Sequence, residues 1–83
     1  MKGVTWQGIE QLLTEIEQAQ TGKLLECGRR FIPSLTTEDV LQPNDYPLLE
    51  AHPLFRYEEG ILSGIHTVRM ALLAYKNEHP AES

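Results

Sequence analysis

A single cysteine, Cys27, stands in these 83 residues, so no disulfide can close within the chain and no cysteine-based metal site can be built. Positive charge is also scarce: seven lysines and arginines face twelve acids, for a net charge of −5. Holding a phosphate backbone takes a basic patch, and the longest basic run is Arg29-Arg30, which argues against nucleic acid as a partner. No 18-residue apolar stretch occurs, so no segment is suited to span a membrane. The opening Met1-Lys2-Gly3-Val4-Thr5 lacks the apolar run of a secretory signal, and the expected location is cytoplasmic. Nowhere do apolar and polar residues alternate with β-branched enrichment, so strands are not expected. Repeats and low-complexity tracts are missing too.

These absences bear on stability. A chain this short buries only about 60% of the surface its unfolded form exposes, and small domains usually need a staple. With disulfides and cysteine-bound metals removed, what remains is a well-packed small bundle or a homo-oligomer.

What the chain does have is helical periodicity. Thr5 suits an N-cap, and Trp6, Ile9, Leu12, Leu13 and Ile16 recur at helical spacing, predicting a helix over 5–21 that stops at Gly22. A second helix is expected over 23–32, carrying Leu24, Leu25, Phe31 and Ile32 and ended by Pro33. Thr36 is the next N-cap, followed by the first-turn acids Glu38 and Asp39, with Leu35 and Val40 spaced as a hydrophobic staple. This predicts a short helix over 37–42, cut by Pro43. A helical turn can form within 45–51. Pro53 suits the first position of a long last helix, 53–76, and the polar tail 77–83 is expected to fray. The expectation is one all-α domain over 1–83, a bundle of three to four helices with the long C-terminal helix packed centrally.

Central packing follows from the angular distribution of the last helix. At about 100° per residue, Leu54, Tyr57, Ile61, Ile65, Val68, Leu72 and Tyr75 fall in one apolar stripe. Phe55, Leu62 and Leu73 form a second line about 100–120° to one side. On the other flank Gly60, Gly64, Thr67 and Ala71 make a line of small residues suited to close helix packing. Two mid-helix glycines cost about 1.5–2 kcal/mol relative to alanine, which a closely approaching neighbour would explain. That neighbour is either another helix of the chain or the same helix of a second copy.

Chemistry is poorly supported. Glu59 and His66 lie seven residues apart, beyond the i, i+3 or i+4 spacing of paired helical ligands. Glu58 and Glu59 suit the positive end of a helix, and Cys27, beside Leu24 and Phe31, reads as a small buried hydrophobe. His79 falls in the tail. No Ser/His/Asp spacing, phosphate-binding glycine loop or cofactor motif is present, so neither an enzyme nor a cofactor is expected. The region richest in interface-type residues is the connection 44–57, where Tyr46, His52, Phe55, Arg56 and Tyr57 are the candidate interaction residues. The leading expectation is a small acidic protein acting by protein–protein contact, self-associating as a dimer. The alternatives are a small-molecule or metal-binding module in 44–57, and an acidic inhibitor or chaperone of a basic partner.

Overall fold

The structure, a computed structural model, describes residues 3–41 and 46–79, and every regular element among them is helical. Helix α1 spans Trp6–Arg29, α2 Thr37–Leu41, α3 Pro47–Glu50 and α4 Pro53–Glu78. The all-α bundle expected from the periodicity is therefore the architecture, built mainly from α1 and α4. Position 42, Pro43, the 44–45 part of the connection and the tail from residue 80 lie outside the described residues.

The caps fall where the sequence places them. Thr5 accepts a hydrogen bond from the Gly8 N–H at 3.0 Å and starts α1. At α2 the Asp39 N–H donates to the Thr36 hydroxyl at 3.3 Å, while the Asp39 carboxylate accepts from the Thr36 N–H at 2.9 Å. This is a reciprocal capping box with aspartate in the usual glutamate position. Its cost to protonation is visible: the Thr36 backbone N–H, then its hydroxyl, hold the Asp39 carboxyl below its usual value. Pro53 opens α4 after His52.

Two helix boundaries are corrected: α4 runs two residues past the expected end at 76, to Glu78, so residues 77–78 of the expected tail are helical, and the first two expected helices merge. Residues 5–21 and 23–32 are not two helices but one, and α1 runs through Gly22 to Arg29. Gly22 has no positive φ, and a Cβ there would meet no atom within 4 Å. An outward-facing glycine costs a helix only about 1 kcal/mol, less than burial of the next turn of side chains returns. Those side chains are Leu24 and Cys27, both buried.

The core sits at one end of the molecule. Leu24 from α1, Leu35 and Val40 around the α2 cap, Leu49 from α3 and Phe55 from α4 are fully or almost fully buried, with Cys27 and Leu62 beside them. Gly28 makes this convergence possible, because a Cβ there would overlap Leu35 Cδ2 and lie 3.4 Å from Phe55. Beyond this knot α1 and α4 continue as a bare antiparallel pair. Polar rungs set their alignment. Gln20 donates to the Glu58 carbonyl at 2.9 Å, Arg69 reaches Thr14 and Glu17 at 3.3 Å, and Lys76 reaches Glu10 at 2.9 Å. The molecule measures 47 × 25 × 19 Å. Its radius of gyration is 15.8 Å, against about 12 Å for a compact domain of this length.

Candidate functional site

The side of α4 that meets α1 is not the regular apolar stripe. Phe55 and Leu62, from the second line, are buried, and Ile65, Leu72 and Leu73 are half-buried. The rest of the stripe faces outward. Leu54, Tyr57, Ile61 and Val68 are exposed by 55%, 67%, 38% and 52%, and Tyr75, which leans on Trp6 with ring centroids 5.9 Å apart, by 47%.

Adding Gly64 and Ala71, both exposed, completes a pattern. Positions 54, 57, 61, 64, 68, 71 and 75 alternate by three and four residues over three heptads. That is the spacing of a seam that meets another helix at a shallow angle. All seven of its positions are exposed. The flank next to it, Gly60, Thr67 and Ala74, carries no charge and no bulk.

Helix α1 extends this face. Leu12 and Ile16 are exposed, and on the helix they share a flank with Ala19, Lys23 and Arg30. A shallow groove of about 290 Å³ is bordered by Lys23, Glu26 and Cys27 of α1, by Arg30 just past its end and by Leu54, Tyr57 and Glu58 of α4. It fixes which flank of α1 lies beside the α4 row. One side of the α1–α4 pair thus displays Leu12 and Ile16 together with the whole seam.

The residues singled out from the sequence are dispersed by the fold. Phe55 is fully buried in the core and offers no surface, which corrects its place among the interaction candidates. Tyr46 packs half-buried against the core, and His52 lies on Phe31 with ring centroids 4.1 Å apart. The His52 Nδ1 atom is buried without a hydrogen-bond partner. Arg56 is exposed and pairs with Glu59 at 3.0 Å and with Glu50 at 3.9 Å. Of the five, only Tyr57 belongs to the apolar face.

Of the two neighbours open to the small line, the internal one is not seen: among the described residues no helix packs on Gly60 or Gly64, since a Cβ at either would meet nothing within 4 Å, and Thr67 and Ala71 are exposed. Within the chain the close-packing glycine is Gly28, which the sequence reading passed over. The other overlooked residues are Leu12 and Ile16, whose three-and-four spacing with Ile9 and Ala19 was the available signal.

His66 faces Glu17 at 3.6 Å, and Glu17 also pairs with Arg69 at 3.3 Å. This cluster joins α1 to α4. Among the described residues no three His, Cys, Asp or Glu side chains gather as metal ligands, and no helix is long and apolar enough to cross a membrane. Compared with known proteins, the chain matches no family, no curated protein and no solved structure.

Proposed function

We propose that this chain is an interaction module rather than an enzyme, and that its working surface is the apolar side of the α1–α4 pair. The observation that carries this reading is the exposed three-and-four row on α4. Isolated exposed hydrophobes are ordinary on proteins, but a contiguous patch of them marks a site of association. Here they are also ordered along one helix at the spacing helices use to pack.

Burial elsewhere favours the same reading. None of residues 3–19 or 63–79 is buried, so the outer half of the hairpin has helices on only two sides of its contact line. Two helices alone cover little of each other, and most helical stability comes from packing an apolar face. A partner on the open side would supply that cover.

The test is binding of a hydrophobic dye such as ANS to the purified chain at a concentration where light scattering shows a monomer, with and without Val68→Glu. Strong dye fluorescence that falls several-fold in the variant, with unchanged far-UV circular dichroism, is the expected result. A wild-type chain that binds no dye, and a variant of identical behaviour, would sink the reading.

A further inference from the structure

We infer that the occupant of this face is a second copy of the same chain, docked antiparallel with a two-fold axis at Gly64. The inference rests on the interaction-face reading and adds the partner and its orientation. Area argues for it first. Leu12, Ile16 and the row between positions 54 and 75 expose on the order of 700 Å² of side chain, close to the ~800 Å² per partner of a stable interface. The whole chain exposes 6027 Å², where a compact monomer of 9.4 kDa exposes roughly 5,000 Å². The open face is part of that excess.

The order of side chains argues for the antiparallel arrangement. A two-fold interface makes residue i meet j and j meet i. With the axis at Gly64, Ile61 lies opposite the partner's Val68, and Tyr57 opposite the partner's Ala71. Tyr57 thus meets a small residue, Ile61 a β-branched one and Leu54 the partner's Tyr75, and the two glycines let the backbones come closest at the centre. The uncharged flank of Gly60, Thr67 and Ala74 puts no like charges across the axis.

Helix α1 favours the same choice. Its Glu10–Lys76 and Thr14–Arg69 contacts place Leu12 and Ile16 beside the far end of the row. In the antiparallel pair they therefore fall over the partner's Leu54 and Tyr57, the end that its own chain flanks with Lys23, Glu26, Cys27 and Arg30. The assembly is a closed four-helix bundle, and closure leaves no second seam for further addition.

The experiment combines light scattering after size exclusion with disulfide trapping. Ile61→Cys and Val68→Cys are made singly in a Cys27→Ala background, since Cys27 borders the groove beside Leu54 and Tyr57, then mixed and oxidised, with the Cys27→Ala chain as control. Expected are a mass of twice 9.4 kDa for the native chain, a monomer for Ile61→Glu, and a cross-link in the mixture but not in either variant alone. A dimer in which each variant cross-links to itself overturns the antiparallel axis. A dimer untouched by Ile61→Glu overturns this face as the contact. A monomer at every concentration overturns the second copy. If that monomer still binds ANS through Val68, the interaction face stands with another protein as its occupant, and if it does not, both readings fall together.

Discussion

Gly22 and Gly28 lie six residues apart in one helix, and a methyl group at each would meet opposite surroundings. At Gly22 there is open space, so Gly22→Ala should raise stability by about 1 kcal/mol through helix propensity alone. At Gly28 the new Cβ would press on Leu35, which is fully buried and cannot swing aside, and on Phe55. Overpacking of about 1–3 kcal/mol outweighs the propensity gain there, so Gly28→Ala should lose roughly 1 kcal/mol. Urea denaturation of the two variants would separate the signs, and a gain at Gly28 would mean that the core has slack. Phe55 and Tyr57 make a second contrast, two residues apart and both aromatic. Phe55→Ala should cost about 3–5 kcal/mol and leave the chain largely unfolded, because domains of this size hold little more than that. Tyr57→Ala should move the melt of a monomeric background by less than about 0.5 kcal/mol. Equal effects would place the core elsewhere.

At the scale of the element, caps decide where helices start and tertiary contacts decide which faces they bury. The start of α2 depends on a carboxylate, which gives it a pH dependence of known sign. Asp39 has its folded-state carboxyl held below the usual value by Thr36, so the unfolded chain takes up the proton more readily. Its contribution is fully present above the usual carboxylate value and is lost as pH falls through the lowered one. Melting temperature should therefore drop over the acid range, and Asp39→Asn should flatten part of that drop. An unchanged profile would mean the capping box does not hold the helix in solution. Much of this was legible in the sequence: Thr5, Thr36 and Pro53 are local signals, and each marks a helix start or its cap. Gly22 misled because glycine ends a helix only when the chain turns left-handed there, and local sequence does not say whether it will. The orientation of α4 was illegible for a deeper reason. Periodicity tells which residues share a face, but Leu35, Val40 and Leu49 decide which face is covered inside the chain, and they arrive from distant segments. They favour the broken line of Phe55 and Leu62 and leave the regular row to something else. The interaction candidates scattered for the same reason, since about half a turn of helix separates a core Phe55 from an open Tyr57.

For the whole molecule, the consequence is a gradient of stability along the long axis. The end holding Leu24, Leu35, Leu49 and Phe55 has helices or connections packed from several sides, whereas the outer half of the hairpin buries no residue. Its polar rungs add little, as exposed or half-exposed ion pairs such as Lys76–Glu10 and Arg69–Glu17 are each worth about 0.2–1 kcal/mol. Local opening should then begin where Trp6 meets Tyr75 and stop near Gln20 and Glu58, where two hydrogen bonds reach from a buried side chain. Amide hydrogen exchange reads this directly. In a monomeric Ile61→Glu chain, amides around Ile9, Leu13, Val68 and Leu72 should exchange at least tenfold faster than those of Leu24 and Leu62. In the native chain at high concentration the gap should narrow, because the partner's helices cover the weak half, while amides at the core end change little. Uniform protection in the monomer would show that two helices suffice to hold the outer half, and the open face would lose its energetic reason to be covered.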